Sequence, residues 1–404
     1  MSAPTASSPG AAPDGLRRVL VAADPSRVAA IRASLGTLTD GWDVAVLPGG
    51  EAALDRPDAD GADVLAASLH MPEMTGTELL QTVRRRHPEV VRIALSDRPD
   101  QQAALKLTGI AHQFLTDPCG PDELADVVER AVVLRRRLRS PALVELVSGL
   151  RSLPSMPTLH TEVVHLVMSP DSSLADIGKV ISQDPGMSAK VLQLVNSAFF
   201  GLRQRITDPT LAVRLLGTNT LITLVLGVHI FTQGQASRGN RDDMDRLFHR
   251  AVVAAAASRE IAHAERLGRD GMSDHHLAGM LHDIGKLVLA TNFPDEFAGV
   301  SEAPDPLDAE RRQFGATHED VGAYLLGLWG LPDPIVEAAA FHHRPGDSPS
   351  RTLSPLTVVH LVSAVVDATP GRPPAIDTTY LGEVGIGHNV DAWMASVEGA
   401  LGGG

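Results

Sequence analysis

Leu281-His282-Asp283-Ile284-Gly285-Lys286 is the stretch whose reading decides the fold of the larger part of this 404-residue chain. It lies in an apolar-periodic segment from about His275 to Ala290, and the period predicts one helix. On that helix His282 and Lys286 share a face at i and i+4, with Asp283 beside His282. Imidazole nitrogen and carboxylate oxygen are the common non-sulfur ligands of a divalent cation, so the adjacent pair can serve one ion. Two ligands do not make a site. Working outward, the chain adds Asp245 and His249 on one predicted helix face upstream, then His318, then His342-His343. The competing reading is a polar pair buried for packing with its hydrogen bonds satisfied. The ordered set His249, His282, Asp283, His318, His342 and His343 favours a metal-ligating cluster.

Around this stretch the pattern is helical almost throughout, from Leu153-Pro154-Ser155-Met156-Pro157 onward. Asp184 reads as an N-cap with Pro185 at the first helical position, and Asp208-Pro209 repeats the device. Val191, Leu192, Leu194, Val195 and the run Leu221 to Phe231 recur at helical spacing and are core. Asn196 and Ser197 read as a hydrogen-bonding pair at a helix end. Thr317 caps a helix with His318, Glu319 and Asp320 in its first turn. Asp333-Pro334 opens the next, which ends at His342-His343, where imidazoles also suit free carbonyls. His275-His276 are expected at the surface. A further helix runs to about Asp367, a turn follows at Pro370–Pro374, and a last helix, about Val390 to Leu401, is expected to pack on the helical core.

Upstream the pattern changes. Short β-branched runs at Val19–Val21, Asp43–Leu47, Val64–Ala67, Val90 to Leu95 and Gln113–Leu115 alternate with amphipathic segments. Five strands alternating with five helices predict an α/β doubly wound parallel sheet, with its chemistry at the carboxyl ends of the strands. The fifth helix, from Pro121, is read as continuing through Val133 to Arg139. Arg135, Arg136, Arg137 and Arg139 cannot share one helical face, so a solvent-exposed connector is expected, broken or kinked at Pro141.

Composition bounds the function. Aromatic residues make up 3% of the chain, so the core rests on small aliphatics. The net charge of −14 argues against a dedicated nucleic-acid binder on electrostatic grounds. A single cysteine, Cys119, cannot form an internal disulfide, and a cytoplasmic protein is expected. Met1 to Gly15 has neither a basic nor an apolar signal region and reads as a disordered leader. The stretch Leu221 to Phe231 is too short to span a bilayer, so no membrane association is expected.

The order of histidines and acids, with Leu281-His-Asp-Ile-Gly-Lys286, resembles the HD superfamily of metal-dependent phosphohydrolases. Asp184-Pro-Gly-Met187, Leu194-Val-Asn-Ser-Ala-Phe-Phe-Gly201, Ala212-Val-Arg-Leu-Leu-Gly217 and Trp329-Gly-Leu-Pro332 with His342-His343 resemble its HDOD branch. That resemblance implies an all-α helical fold and a signalling role usually without catalysis. It also implies a divalent metal, Fe, Mn or Zn. In catalytic members a late Asp closes the site; here Ser363 takes that position, with Asp367 one turn further as a candidate replacement.

The N-terminal part, with Met71-Pro-Glu-Met-Thr-Gly76, Leu95-Ser96 and Phe114-Leu-Thr-Asp-Pro118, resembles a response-regulator receiver. The family's acidic pair falls on Ala22 and Ala23, its phosphoacceptor Asp on Ser68 and its Lys on Asp117; Asp24 alone remains nearby. Acyl-phosphate formation needs a carboxylate nucleophile and a cation, so a pseudo-receiver without Mg²⁺ is expected.

The resulting division is a leader (1–15), a pseudo-receiver (16–139), a helical linker (140–152), an HDOD domain (153–345) and a C-terminal helical extension (346–404). The favoured reading is a signal-transduction adaptor with signalling proteins as partners, alone or as a homo-oligomer. The alternatives are a metal-dependent phosphohydrolase of nucleotides or cyclic dinucleotides, in which one or two ions at His249, His282, Asp283 and His318 activate water while Lys286 steadies a phosphate oxygen, and a nucleotide sensor without turnover.

Overall fold

The structure is a computed structural model that describes residues 17–36, 41–55, 61–96, 107, 109–117, 119–135, 137–138, 140–150, 153–169, 171–197, 202, 205–227, 232–233, 241–301, 303–368 and 373–402. The expected leader, residues 97–106, part of the run to Phe231, part of the Pro370–Pro374 turn, and Arg136 and Arg139 lie outside them.

Five β-rich runs form one parallel sheet: β1 (Arg17–Ala23), β2 (Trp42–Pro48), β3 (Val64–Ser68), β4 (Val91–Ser96) and β5 (Gln113–Thr116), in the order β2-β1-β3-β4-β5. Val21 lies opposite Val46 and Ala66, Ala66 opposite Ile93, and Leu95 opposite Leu115. β3 and β4 are buried along their whole length because helices cover both faces, which is why they read as unbroken apolar runs. Val28–Leu35 and Pro121–Arg135 cover one face; Gly50–Leu54 and Gly76–Arg86 cover the other. The carboxyl ends of the strands bring Ala23, Ser68, Ser96 and the neighbouring Asp117 to one rim, as the fold class predicts.

The rest of the chain is helical, apart from a two-stranded parallel bridge of Pro154–Ser155 with Thr232–Gln233. Asp184 and Asp208 cap their helices as expected: Asp184 Oδ1 accepts from the Met187 amide at 2.9 Å, and Asp208 Oδ1 from Thr210 at 2.8 Å. Asn196 fastens its helix end by exchanging two hydrogen bonds with the Ile206 backbone. The last helix, Val390–Gly402, packs on Arg241–Ala264 and Pro355–Val366, and buried Trp393 donates its indole N–H to Glu265 at 2.9 Å. His275 departs from its expected place at the surface. It is 3% exposed, with Nδ1 on the Gly271 carbonyl at 2.7 Å, because its helix is enclosed on more sides than its own polarity suggests.

The connector also departs from expectation. The helix Pro121–Arg135 stops at Arg135, and Pro141 opens a new helix, Pro141–Gly149, capped by Ser140. Two of the four arginines have defined partners. Arg135 reaches Asp63 at 3.5 Å. Arg137 bonds Asp320 at 2.7 Å and the Ala340 carbonyl at 3.1 Å, and stacks over Phe341. Arg130 pairs with Asp333 at 2.8 Å, while Leu134 packs against Gly327. The helix thus lies on the helical half rather than in solvent.

The seam is core-like. One continuous hydrophobic cluster includes the β1, β3, β4 and β5 residues of one sheet face together with the helical half. Within it Arg92 donates to the Ser148 carbonyl at 2.7 Å, Gln113 to Gly327 at 3.0 Å, and Gln193 to His112 at 3.2 Å.

Lys190 sits behind this seam, 1% exposed, with Nζ on the Gln193 amide oxygen at 2.8 Å and over the Trp329 ring. Burial pushes its ammonium down to about 7 from an ordinary 10.5. The folded state therefore holds fewer protons than the unfolded chain between those values, so stability rises with pH across that window. Urea titrations at pH 7 and 10 are expected to show a gain of about 2 kcal/mol attributable to this group, once local relaxation around the ammonium is allowed for. Lys190→Met should flatten that slope; an unchanged slope in the variant would refute the assignment.

Candidate functional site

The predicted single helix over the His-Asp stretch is two. Gly268–Leu281 ends with His282 as its C-cap, the chain turns at Asp283, and Ile284–Asn292 begins. Lys286 therefore belongs to the second helix, and its Nζ bonds Asp283 Oδ2 at 2.8 Å. A glycine is needed one residue earlier. A Cβ on Gly285 would stand 2.0 Å from the His318 carbonyl oxygen and 2.9 Å from the Gly322 nitrogen. Backbone contact at this crossing brings Asp283 to the first turn of His318–Leu328.

That turn is set by Thr317, whose hydroxyl accepts from the Asp320 amide while the Asp320 carboxylate caps in return. His318 is 1% exposed and turns Nδ1 to the buried Glu310 carboxylate at 2.8 Å. Burial disfavours its charged form, yet the charge and hydrogen bond of Glu310 together with Asp283 more than offset it and raise the pKa. Glu310 was not legible as part of the site, because a lone acid on the helix Pro306–Phe314 carries no motif. His342 caps Asp333–Phe341, with Nδ1 on the Ala338 and Ala339 carbonyls at 3.2 and 3.1 Å, the C-terminal use the sequence suggested. His343 follows, its backbone N–H donating to Glu319 at 3.1 Å.

Asp283, His318, His342 and His343 each direct a ligand atom into one centre, all within 4.8 Å of one another. His318 Nε2 and His342 Nε2 both lie 3.4 Å from Asp283 Oδ1, an oxygen that meets no hydrogen-bond geometry with the described residues. His282 stands beside them, its Nε2 3.6 Å from Asp283 Oδ2 and its Nδ1 on the Gly279 carbonyl. Burial, then His342 and Lys286, push His282 down to about 4 against the pull of Asp283. Burial and the neighbouring imidazoles hold His343 well below its ordinary value. Asp283 is held well below the carboxylate range because Lys286 and His282 outweigh its burial.

With Nδ1 of His342 turned to carbonyls and Nδ1 of His318 to a carboxylate, the Nε2 atoms of both rings face Asp283 Oδ1 and lie 3.3 Å from each other. Such an electron-rich centre suits a divalent cation, with Glu310 and the carbonyls orienting the ligands.

Two candidates stand apart. His249 is exposed on Arg241–Ala264 and is not in the cluster; with Asp245 it lines an adjoining cavity of about 1010 Å³. Its residue type and order suggested a ligand, but the long helix carries it to the cavity wall. Asp367 caps Pro355–Val366 and pairs with Arg250, with Lys286 at 3.9 Å, outside the four-residue set. Ser363 Oγ is buried without a hydrogen-bond partner among the described residues.

At the receiver rim Ala22 and Ala23 are fully buried. Ser68 Oγ donates to Asp117 Oδ2 at 2.7 Å, and Arg27 holds the same oxygen at 2.9 Å. Asp24 is turned to the Ser26 amide at 2.8 Å. Arg27 was missed in the sequence because nothing local connects it to a residue ninety positions on.

Fold and sites together define a response-regulator-like signalling protein. More particularly, the chain carries a response regulator receiver domain, matched over residues 19–129, and an HDOD domain, matched over 153–345. A Treponema pallidum (strain Nichols) uncharacterized protein is 27% identical over 230 residues, 55% of this chain and 44% of that one. The hydrogenase transcriptional regulatory protein HoxA of Cupriavidus necator is 40% identical over 72 residues, 17% of this chain and 15% of that one. The chain spans less than half the length of these curated relatives. The crystal structure of the MmoQ response regulator of Methylococcus capsulatus is 21% identical with a TM-score of 0.45, covering 60% of this chain and 98% of that one. No helix among the described residues is long and apolar enough to cross a membrane.

Proposed function

We propose that the protein is a signal-transduction adaptor: its receiver domain does not accept a phosphoryl group, and its HDOD domain serves as output or scaffold for signalling partners. The observation that carries this reading is the Ser68–Asp117–Arg27 network. A receiver's chemistry needs a free carboxylate nucleophile and acids to hold Mg²⁺. Here the nucleophile position is a serine hydroxyl donating its proton to Asp117, and Asp117 is already neutralised by Arg27. Two buried alanines stand where the metal acids would be. Intact mass spectrometry after incubation with Mg²⁺ and acetyl phosphate is expected to show only the unmodified chain. A phosphorylated species that disappears in Ser68→Ala would refute the proposal.

The second reading, a metal-dependent phosphohydrolase, is favoured by the convergence of Asp283, His318, His342 and His343 beside a cavity large enough for a nucleotide. A divalent ion there, of the Fe, Mn or Zn type, would supply Lewis acidity and an activated water. Lys286, clamped between Asp283 and Asp367, would keep a positive charge at the cavity wall. Against this reading, Asp367 is committed to Arg250 and Ser363 offers only a hydroxyl. We take the working units to be 16–139, 140–152, 153–345 and 346–404, acting in the cytoplasm.

A further inference from the structure

We propose that the cavity at the seam between the receiver and HDOD domains is a binding site for a small organic anion, a carboxylate or a phosphate ester, whose occupancy both domains sense. This cavity is separate from the histidine centre. It measures about 380 Å³, within the range of small-molecule pockets, and lies at a domain interface, where such pockets concentrate. One wall comes from the receiver, with His112–Thr116 and Glu123; the other comes from the HDOD domain, with Gln193, Asn196, Arg205 and Trp329.

The sign of the ligand follows from charge. Arg130 is taken by Asp333 at 2.8 Å. That leaves Arg205, exposed at the mouth and tied to the Gly330 carbonyl, with Lys190 behind the wall, against Glu123, the one carboxylate among the described lining residues, and Asp333, which also faces Arg205. Lys190 lies directly behind two lining residues, bonded to Gln193 and resting on Trp329, and among the described residues its hydrogen-bond partner is a neutral amide. A buried ammonium without an anion is costly, and its depressed pKa expresses that cost. The titratable group facing it across the seam is His112, which burial and Arg92 hold neutral, so it supplies no counter-charge. An anion in the cavity would supply one.

The connection to both domains is direct. Gln193 accepts from Lys190 and donates to the His112 carbonyl, so a ligand that reorients Gln193 acts on the strand edge of the receiver.

The test is isothermal titration calorimetry of the full chain at pH 8 with inorganic phosphate, citrate and adenosine 5′-monophosphate, in two buffers of different ionisation enthalpy. At least one probe is expected to bind saturably with net proton uptake, because the anion raises the proton affinity of Lys190. Arg205→Gln should weaken binding roughly tenfold or more by removing a charge-assisted contact. Lys190→Met should abolish the proton uptake, whereas Arg250→Gln, in the cavity beside the histidines, should leave affinity unchanged. The proposal is overturned if no probe binds below about 10 mM. It is equally overturned if binding proceeds without proton uptake, survives Arg205→Gln unchanged, or is lost in Arg250→Gln.

Discussion

Arg92→Met is expected to lower the unfolding free energy by about 3–5 kcal/mol, read as a shift in the urea midpoint of the full chain. Arg92 is 1% exposed on β4 and donates to the carbonyls of Pro88, Val90, Ile110 and Ser148, with His112 Nε2 at 2.9 Å. Methionine fills much of the same volume but donates to none of them, so several buried carbonyls lose their partner, at about 1–3 kcal/mol each before relaxation. One term opposes this. Among the described residues no carboxylate bonds the guanidinium, and burial pushes it down to about 10 against the pull of Tyr324 and Glu89, so removing the charge recovers part of its desolvation cost. The lost hydrogen bonds outnumber that single gain. Because the Ser148 bond crosses to the helix leading into the HDOD domain, the variant should unfold with both domains weakened in one transition. A separate, unchanged transition for the helical half would show that the seam does not join them.

Gly285→Ala is expected to cost at least about 3 kcal/mol and to lower the metal content of the purified protein. The added carbon would meet the His318 carbonyl at 2.0 Å, backbone against backbone, so no flexible side chain can give way. The two helices must separate, and separation moves Asp283 away from His318 and His342, which now lie 3.4 Å from it. Thermal melts and elemental analysis check this together. A stable variant with unaltered metal would mean that the glycine is not what sets the crossing.

These two positions also mark what sequence could and could not show. The strands were legible because β3 and β4 are buried on both faces, which writes unbroken Val, Leu, Ala and Ile runs into the chain. The caps Asp184, Asp208 and Thr317 were legible because capping is a local bond between neighbours. The break at His282-Asp283 was hidden, since apolar spacing continues across it and the cause, contact with His318, lies far along the chain. Arg137 looked solvated because Asp320 and Ala340 are more than 180 positions away. The residues of the centre were visible as types and order, but their order could not separate Asp283, His318, His342 and His343, which converge, from His249, which stands on the cavity wall. Glu310 and Arg27 carried no signal, because each acts only through a partner brought near by folding.

The most direct trial of the adaptor reading is steady-state hydrolysis of bis(p-nitrophenyl) phosphate and of a cyclic dinucleotide by the full chain loaded in turn with Fe²⁺, Mn²⁺ and Zn²⁺. The account predicts no turnover above the same metal without protein. Sustained turnover that disappears in Asp283→Ala would contradict it and establish the histidine centre as a catalytic one.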